Sequence, residues 1–560
     1  MLSFVSGSSS QPLLFSTVDE VLKRAVAAGA DRAAIVAPQQ LARYTFRELD
    51  AAVERVARGF VACGLRSGER VGIWAPNGIE WVLTMFAAAR AGLILVNINP
   101  AYRTHELEHA LRLVGCRALV FAAAYKSSDY LAILCELMPE LPGAPPGRVR
   151  SARLPELQLL VRIGVGSAPG CMSFKDLEAE GNRLGVDALA GPRANSDPDQ
   201  PVNIQFTSGT TGSPKGATLT HFNIVNNAFF VGECMRLTAA DRVCIPVPLY
   251  HCFGMVLGLL ATMTHGAASI FPCEGFDPLL TLQTVQRERC TALHGVPTMF
   301  IAELEHPRFA EFDLTSLRTG IMAGAPCPIA VMRRVVTDMH MPDVTICYGM
   351  TETSPVSFQS GCDDPLERRV TTVGRIHPYV QVKIVDASGQ VTPRGIPGEL
   401  LTRGYSVMRG YWGQPERTAE AIDVAGWMHT GDLASLDEEG YCNIVGRVKD
   451  MIIRGGENVY PREIEEFLYR HPAIVDVAVV GVPDHKYGEE ICACVRLRNG
   501  AHASEEDIRE FCRGRIAHYK VPRYIRFLES FPQTVTGKIQ KYLLREQMQR
   551  ELGRAAEKHA

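Results

Sequence analysis

The sequence lacks the features that mark several large classes of protein. Its 58 Lys and Arg residues nearly balance 61 Asp and Glu residues. A net charge of −3 argues against a protein whose main role is to coat nucleic acid or an anionic membrane. The 16 cysteines include no C-x-x-C pair, which fits a reducing compartment. Cys492 and Cys494 fall on one face of a predicted strand, where we expect packing rather than metal or redox chemistry.

The chain also lacks a predicted targeting segment and a convincing membrane span. Its first ten residues carry no basic residue and no long apolar run, which argues against a secretory signal. No Arg precedes Arg24, which makes a transit peptide a poor interpretation. The run 253–271 has no charged residue apart from His265, but glycines interrupt it. We expect a buried helix that ends near Gly266, then a short strand, and a cytoplasmic protein without a transmembrane segment.

Helical and strand patterns alternate in the N-terminal part. A length of 560 residues predicts several packed units, and 46% hydrophobic residues can fill large cores. Alternation of this kind indicates a parallel sheet with helices on both faces. The predicted helices are 46–64, 78–92 and 104–115, and the predicted strands are 70–75, 93–98 and 118–122. Residues 139–155 hold five prolines and predict a loop or surface insertion.

The rest of the chain predicts three further parts. The α/β alternation resumes over 200–350, and short strands with Gly/Pro turns dominate 370–447. The tail from about 450 predicts a small α+β unit. It contains strands near 474–482, 490–497 and 524–528 and a helix near 504–516. The prediction is an α/β protein: a large N-terminal domain (1–448) of doubly wound α/β subdomains plus a β-rich subdomain, and a small mobile α+β C-terminal domain (449–560).

The end of the tail is basic. Residues 511–560 contain 11 Lys and Arg against 4 Asp and Glu, although the whole chain is slightly acidic. Two interpretations explain this excess of basic residues equally well. One is a solvated basic surface, and the other is a mobile lid that meets a polyanion such as a nucleotide.

The strongest local signal is a loop of glycines and hydroxyl residues that follows the apolar run 202–206. Glycines let backbone N–H groups turn inward as an anion nest, hydroxyls donate further bonds, and the lysine adds a full charge. Such a loop suits a polyphosphate, although it departs from the Walker A pattern because a proline precedes its lysine. The residues of this loop are Thr207, Ser208, Gly209, Thr210, Thr211, Gly212, Ser213, Pro214 and Lys215, followed by Gly216.

This loop resembles the phosphate-binding signature of the adenylate-forming (AMP-binding) superfamily, which includes acyl-CoA synthetases, luciferases and peptide-synthetase adenylation domains. Further signatures follow in the expected order: YGMTE at 348–352, TGD at 430–432, GRVKDMIIRGGENVY at 446–460 and TGK at 536–538. The resemblance covers nearly the whole chain and is strongest to the medium-chain acyl-CoA synthetase type. It implies ATP, Mg²⁺ and CoA as cofactor and co-substrates.

The resemblance implies a role for each matching residue. Adenylation joins two anions, so the site must neutralise charge. Thr207 to Lys215 would hold the β- and γ-phosphates, Thr351 would bind the α-phosphate, and Glu352 would bind Mg²⁺. The adenine would be lined by Gly324, Ala325, Pro326 and Tyr348. Asp432 would accept hydrogen bonds from the ribose hydroxyls, with Arg447 beside it. Lys538, Thr351, Glu352 and Lys215 are thus the implied catalytic residues.

The small domain would contribute twice. Lys538 would enter the site and bridge carboxylate and α-phosphate oxygens as charge builds between them. Lys449 matches the family's hinge position, about which the tail would rotate between two half-reactions. The turn at Gly455 and Gly456 would then let the pantetheine arm of CoA pass close to the backbone.

The acyl site is the least defined. The segment PLYHCF at 248–253 matches the one whose His or aromatic residue gates that site, so His251 and Phe253 are the candidates. A buried histidine with a purely structural role is the alternative for His251. The segments 222–235 and 253–263 are largely apolar, which suits an acyl chain better than an amino acid.

Other functions remain to be separated by experiment. The pattern HELEH at 105–109 satisfies the zinc-protease motif H-E-x-x-H, but no third ligand is marked nearby, so an exposed helix face is expected. We predict an ATP-dependent, AMP-forming acid–thiol ligase, a fatty acid–CoA ligase of the medium-chain type. The alternatives are an acyl-AMP ligase that loads a carrier-protein thiol, an aryl or other acid–CoA ligase, and a catalytically silent nucleotide-binding protein. Its partners would be small molecules, with a homodimer as one candidate state.

Overall fold

The computed structural model describes residues 1–164, 166, 168–194, 196–207, 214–325, 327–534 and 537–553. Within these ranges, no helix combines the length and the apolar character needed to cross a membrane. In chain order, the first strands are β1 (Phe4–Ser6), β2 (Ala33–Ala37), β3 (Ala42–Thr45), β4 (Arg70–Trp74), β5 (Ile94–Asn97), β6 (Ala118–Phe121), β7 (Ala124–Tyr125), β8 (Ser128–Asp129), β9 (Leu159–Arg162), β10 (Met172–Ser173), β11 (Pro201–Thr207), β12 (Lys215–Thr220), β13 (Arg242–Cys244), β14 (Ala268–Ile270), β15 (Ala292–Gly295), β16 (Thr319–Met322), β17 (Asp343–Gly349), β18 (Val356–Gln359) and β19 (Arg375–Ile376).

Apart from the strand Gly410–Tyr411, which joins one of the two large sheets, the later strands form the β-rich part and the C-terminal unit. They are β20 (Val380–Val385), β21 (Gly398–Gly404), β22 (Gly410–Tyr411), β23 (Met428–Leu436), β24 (Cys442–Arg447), β25 (Ile452–Arg454), β26 (Glu457–Val459), β27 (Ile474–Asp484), β28 (Gly488–Leu497) and β29 (Tyr524–Phe527).

The α-helices connect these strands. They are α1 (Val18–Gly29), α2 (Phe46–Ala62), α3 (Ile79–Arg90), α4 (Thr104–Val114), α5 (Tyr130–Leu137), α6 (Phe174–Arg183), α7 (Ala190–Ala194), α8 (His221–Cys234), α9 (Ala261–His265), α10 (Pro278–Glu288), α11 (Pro297–Leu304), α12 (Ile329–Asp338), α13 (Leu366–Thr371), α14 (Pro415–Ala421), α15 (Pro461–Leu468), α16 (Glu505–Cys512) and α17 (Lys541–Glu551). A π-helix spans Phe253–Leu260, and 3-10 turns span Pro38–Gln40, Leu141–Gly143, Val186–Leu189, Phe309–Glu311, Thr351–Thr353 and His518–Lys520.

Two large sheets form the body of the molecule. One has eight strands in the order β10-β9-β6-β4-β5-β11-β12-β22, and the other has nine in the order β19-β18-β17-β16-β15-β13-β14-β2-β3. Strands β9, β6, β4, β5 and β11 run parallel, as do β2 and β13 to β17. A third sheet, β1-β20-β21-β23-β24, is antiparallel. The predicted doubly wound fold with a β-rich subdomain is confirmed.

Local sequence explains where the helices begin. Helix α2 starts with a capping box, because the Thr45 hydroxyl accepts from the N–H of Glu48 at 3.2 Å and the Glu48 carboxylate accepts from the N–H of Thr45 at 2.8 Å. Its buried residues Phe46, Leu49 and Val53 recur at helical spacing. The helix predicted over 78–92 ends two residues earlier than expected, at Arg90, because the chain turns into a left-handed conformation at Gly92 (φ 69°).

Two expectations, one about a loop and one about the end of a helix, need correction. Residues 139–155 are irregular, as predicted, but they are not merely a surface insertion, since Leu141, Val149 and Leu154 are buried in the main core. The helix predicted over 504–516 ends at Cys512, and Gly514 lies just beyond it with φ 69°. Glycine takes this conformation at little cost, whereas continuing the helix through it is unfavourable.

The C-terminal unit has a separate core. Its sheet has the order β26-β25-β28-β27, with β29 beside β28, and hydrophobic residues of α15 and α16 pack on one face. Helix α17 covers the other face, where Cys492 and Cys494 are buried together with Leu544 and Met548. The two thiols thus lie on the same packed face of β28, as predicted. The domain boundary at residues 448 and 449 remains a prediction.

Candidate active site

The predicted phosphate loop connects two paired strands. Strands β11 and β12 are antiparallel, and Thr207 pairs with Lys215 across them. The hairpin geometry therefore places both ends of the loop side by side at the end of a buried strand pair. The Thr207 hydroxyl is buried and has no hydrogen-bond partner among the residues that the structure describes, which suits a site for phosphate oxygens. Ser208, Gly209, Thr210, Thr211, Gly212 and Ser213 lie outside the described residues.

Lys215 and Glu352 lie on either side of one tyrosine hydroxyl. The Lys215 ammonium donates to the Tyr411 hydroxyl at 3.0 Å, and that hydroxyl donates to Glu352 Oε1 at 2.8 Å. Burial lowers the pKa of Lys215, and the Glu352 charge opposes this shift. Glu352 is only 6% exposed. The structure thus brings the predicted phosphate-binding cation and metal-binding carboxylate into one network.

Thr351 lies next to the predicted acyl gate. Its hydroxyl is 3.8 Å from the Cys252 sulfur, and Cys252 directly follows His251. The N–H of Phe253 donates to His251 Nδ1 at 3.1 Å, so the neutral ring carries its proton on Nε2. Burial, together with a smaller effect of the Lys538 charge, lowers the pKa of His251 to about 4. At neutral pH, His251 is therefore an uncharged hydrogen-bond donor.

Two buried amides, which the sequence reasoning missed, hold the loop that carries His251. Asn77 donates to the carbonyl of Val247 at 3.0 Å and accepts from the N–H of Leu249 at 2.7 Å. Asn97, at the end of β5, donates to the carbonyl of Tyr250 at 3.0 Å. Because Asn77 and Asn97 are 5% and 1% exposed, these bonds are made in a low-dielectric interior and fix the loop firmly.

Phe253 begins a π-helix rather than an ordinary α-helix. Its ring centroid lies 5.8 Å from that of His294, a fully buried residue whose Nε2 is 3.1 Å from the carbonyl of Leu257. A Cβ added at Gly254 would lie 2.4 Å from the carbonyl oxygen of Pro248, so the glycine permits close packing of this helix on the His251 loop. π-Helical segments are frequent at functional sites. The predicted helix ending near Gly266 and the short strand after it (β14) are confirmed.

The predicted nucleoside site combines strand ends from two sheets. Tyr348, near the end of β17, donates its hydroxyl to Asp432 Oδ2 at 2.6 Å, and Arg447 Nε donates to Asp432 Oδ1 at 3.1 Å. Asp432 and Arg447 are direct partners across β23 and β24. Burial and the Asp432 charge raise the pKa of Tyr348 well above its usual value, so this tyrosine stays protonated.

The predicted adenine-lining turn follows β16. Gly324 has φ 87°, a left-handed conformation that glycine adopts readily, and it is exposed, whereas Ala325 is partly buried. Pro326 lies outside the described residues. Strands β16 and β17 are parallel neighbours, so their carboxyl ends, which lead to Gly324 and Tyr348, open on the same edge of the sheet.

Lys538 reaches this edge from the C-terminal unit. The neighbouring Gly537 accepts at its carbonyl from the Thr298 hydroxyl at 3.2 Å. A Cβ added at Gly537, which has φ 80°, would lie 2.9 Å from a Val296 methyl group. The surrounding protein lowers the pKa of Lys538 to about 8; Arg447 also lowers it, whereas Asp432 raises it. Part of the Lys538 side chain remains exposed to solvent, although the protein around it disfavours its charge.

Further contacts hold the two units in this arrangement. Arg498 forms an ion pair with Glu305 at 2.9 Å, and Glu305 also pairs with Arg334 at 2.5 Å. Arg462 donates to the carbonyl of Ile444 at 2.7 Å. These contacts hold the C-terminal unit in an arrangement in which the charges of Arg447 and Asp432 act on Lys538.

The predicted hinge and CoA residues lie elsewhere. Lys449 is exposed in the turn between β24 and β25, close enough for its charge to lower the pKa of Lys215. Gly455 and Gly456 form the exposed turn between β25 and β26, and the N–H of Gly455 donates to the carbonyl of Tyr487 at 2.8 Å. A Cβ added at Gly456 would meet no atom within 4 Å, which leaves open space above this turn.

Two places in the chain are candidates for binding a metal ion: the HELEH motif and Glu352. The HELEH motif lies on α4 with His105 exposed, while His109 Nε2 is 3.2 Å from the carbonyl of Pro214. Among the described residues, no group of three or more His, Cys, Asp or Glu side chains could hold a metal ion. The buried carboxylate of Glu352 beside the phosphate loop does fit Mg²⁺, which usually binds one or two carboxylates together with substrate phosphates and water.

Fold and site together fit an enzyme class built from a large α/β body and a small C-terminal unit that meet beside a set of charged residues. The sequence comparisons identify the family. The AMP-binding enzyme family model matches residues 22–412, and the model of its C-terminal domain matches residues 463–538. The chain belongs to the AMP-binding enzyme family.

Relatives are similar over almost their whole length. Bacillus subtilis YngI, whose own assignment as an acyl-CoA synthetase is provisional, is 50% identical over 95% of this chain and 97% of its own. The zebrafish (Danio rerio) mitochondrial medium-chain acyl-CoA ligase ACSF2 is 48% identical over 98% of this chain and 91% of its own. The crystal structure of the anthranilate CoA ligase AuaEII with anthranoyl-AMP matches with TM-score 0.86 at 28% identity, over 97% and 99% of the two chains.

Proposed function

We propose that this protein is an acyl-CoA synthetase of the AMP-forming type. A carboxylate attacks the α-phosphate of ATP to give acyl-AMP and diphosphate, and the thiol of CoA then displaces AMP to give acyl-CoA. The observation that carries the proposal is the pairing of Arg447 with Asp432, whose charges both act on Lys538 of the small unit, in a chain that matches an acyl-CoA ligase over 98% of its length. Its cofactor and co-substrates are ATP, Mg²⁺ and CoA.

In the first half-reaction the chain's own residues neutralise the charge of the carboxylate and the phosphates and orient these groups. The Lys538 ammonium lies between the incoming carboxylate and the α-phosphate, so it stabilises the negative charge that accumulates there. Thr351 and the Nε2–H of His251 donate hydrogen bonds at the same point, while Lys215 and Thr207 hold the departing diphosphate. Mg²⁺, held by Glu352, would supply further positive charge to the phosphate oxygens.

The nucleoside end is held by Tyr348, Asp432 and Arg447. Each carboxylate oxygen of Asp432 accepts one bond within the protein and retains a lone pair for a ribose hydroxyl. The Arg447 and Tyr348 bonds hold this carboxylate in one orientation before the nucleotide arrives, which reduces the cost of binding.

The second half-reaction requires another domain arrangement. Lys449 lies in the turn that joins the two units, and rotation there would withdraw Lys538 and bring the Gly455–Gly456 turn to the acyl-AMP. Lys538 and the Gly455–Gly456 turn both belong to the small unit, but in this conformation only Lys538 lies near the nucleoside residues. Glycines at the turn leave room for the narrow pantetheine arm.

The proposed acid is a medium-chain fatty acid. The π-helix Phe253–Leu260, which follows His251, is entirely buried and hydrophobic, which suits an apolar acyl chain. ACSF2 relatives carry a medium-chain name at 43–48% identity. An aryl acid is the second candidate, because the solved structure of an anthranilate CoA ligase is similar over nearly the whole chain.

The decisive experiment is ATP–diphosphate exchange with a panel of acids. It should include C4 to C16 fatty acids, aryl acids and dicarboxylates, followed by a comparison of free CoA with a carrier-protein thiol. Exchange that peaks with medium-chain fatty acids and thioester formed on free CoA would support the proposal. Exchange with every acid absent, or thioester formed only on a carrier protein, would refute it.

Location and assembly are also proposals. We propose a cytoplasmic enzyme, because all sixteen cysteines are free thiols, as is usual in a reducing compartment. The ACSF2 relatives are named mitochondrial, so cell fractionation should decide between the two compartments. A homodimer is the proposed state, and light scattering of the purified protein would test it.

A further inference from the structure

Tyr411 separates the two charged groups of the phosphate end of the site. Its hydroxyl accepts a hydrogen bond from Lys215 at 3.0 Å and donates one to Glu352 Oε1 at 2.8 Å. The Lys215 ammonium also lies 4.2 Å from the centroid of the tyrosine ring. A phenol is well suited to this place because its hydroxyl can accept and donate at the same time.

The backbone fixes Tyr411 relative to both charged residues. Its strand β22 pairs with β12, where Tyr411 lies opposite Ala217, two residues after Lys215. The N–H of Met408, three residues before Tyr411, donates to the carbonyl of Glu352 at 2.8 Å. The N–H of Tyr411 itself donates to the Thr418 hydroxyl at 2.9 Å. One short segment thus holds the tyrosine, the lysine strand and the glutamate turn together.

Without a spacer, an ammonium and a carboxylate in such a partly buried place attract each other strongly. A direct Lys215–Glu352 ion pair would occupy the cation needed by the phosphates and a carboxylate oxygen needed by the metal. In the structure the Tyr411 hydroxyl instead accepts from Lys215 and donates to Glu352, so each charged group meets the phenol rather than the opposite charge.

We propose that Tyr411 is a positioning residue of the nucleotide site. Its hydroxyl keeps Lys215 and Glu352 apart, so that Lys215 is available to the leaving diphosphate and Glu352 to the divalent cation. This inference rests on the proposed function, and it adds a residue that none of the sequence motifs singled out.

The test is the Tyr411→Phe variant of the full-length protein, which removes one oxygen atom and keeps the ring. We expect its affinity for Mg²⁺ and a non-hydrolysable ATP analogue, measured by calorimetry, to fall about 10- to 100-fold, as for the loss of a bond to a charged group. The Mg²⁺ concentration needed for half-maximal nucleotide binding should rise in parallel. Conversion of preformed acyl-AMP and CoA to acyl-CoA should stay within about twofold, because that step involves no diphosphate.

Tyr441→Phe is the matched control. Tyr441 is 2% exposed, donates its hydroxyl to Asp364 at 2.6 Å, and has the Arg375 guanidinium 4.2 Å from its ring centroid. It therefore repeats the arrangement of Tyr411 away from the proposed nucleotide site. We expect its loss to affect thermal stability without changing the Mg²⁺ dependence of nucleotide binding.

Several results would overturn the inference. These are unchanged nucleotide affinity in Tyr411→Phe, an equal effect in Tyr441→Phe, an equal loss of both half-reactions, or failure of Tyr411→Phe to fold, which would make the hydroxyl a requirement of the fold. Failure of the proposed function looks different, since the unmodified protein would then show neither nucleotide binding nor diphosphate release with any acid.

Discussion

Raising the pH above 8 should slow acyl-AMP formation in a way that identifies Lys538. The surrounding protein disfavours the charged ammonium and Arg447 repels it, so the pKa of Lys538 in the free enzyme falls to about 8. The lysine is charged below that value and neutral above it. Only the charged form can stabilise the anions that meet during adenylation.

The magnitude follows from the titration. About nine-tenths of Lys538 is protonated at pH 7 and about one-tenth at pH 9. The kcat/KM of ATP–diphosphate exchange, which reports groups of the free enzyme, should therefore fall close to tenfold per pH unit above about pH 8. The profile of kcat should break at a higher pH, because bound carboxylate and phosphate stabilise the ammonium.

The control is Lys538→Arg, whose guanidinium stays charged throughout this range. We expect lower exchange at pH 7, since the geometry differs, but no break near pH 8. Thioester formation from preformed acyl-AMP should instead rise through this range, because the attacking species is the thiolate of CoA. A break that stays near pH 8 in the arginine variant, or one near pH 10.5 in the unmodified enzyme, would refute the reasoning.

Three further predictions concern other parts of the site. Asp432→Asn should raise the KM for ATP by about 10- to 100-fold in steady-state assays with little change in the KM for the acid, because it weakens charged hydrogen bonds at the ribose position; equal effects on both KM values would contradict this role. Lys449→Pro should leave diphosphate exchange nearly intact and abolish acyl-CoA formation, since the hinge is fixed in one state; equal survival of both half-reactions would exclude the hinge. Asn97→Ala should cost about 1–3 kcal/mol of stability, seen as a lower midpoint of thermal unfolding, because the carbonyl of Tyr250 loses its buried donor. The same variant should raise the KM for the acid more than the KM for ATP. A change confined to the KM for ATP would count against the placement of Asn97 beside the acyl site.

Short-range patterns predicted much of the architecture. The apolar spacing of 46–64 predicts α2, and the run 253–271, which has no Lys, Arg, Asp or Glu, predicts a buried helix followed by a strand. Such features depend on residues a few positions apart. The ends of elements were less predictable: the helix predicted over 504–516 ends at Cys512, because Gly514 takes a left-handed conformation (φ 69°) just beyond it.

The candidate site was predicted residue by residue from motif resemblance, and the structure brings several of those residues together. Lys215 and Glu352 share one network, and Tyr348, Asp432 and Arg447 share another. The motifs gave no signal for Asn77, Asn97 or Tyr411. Buried asparagines and an isolated Gly-Tyr pair are common in any sequence, so only contacts across the fold distinguish them.

By itself, the sequence determined the order of elements, the chemistry of the loops and the family, because these properties lie in contiguous residues and their spacing. The tertiary structure decided which distant groups meet. Tyr411 stands 196 residues after Lys215 and 59 after Glu352, yet its hydroxyl bonds to both. The pKa of Lys538 likewise depends on its burial by the surrounding protein and on charges distant in sequence, such as Arg447 and Asp432. Neither property exists in the unfolded chain, because electrostatic coupling of this strength requires short distances and exclusion of water.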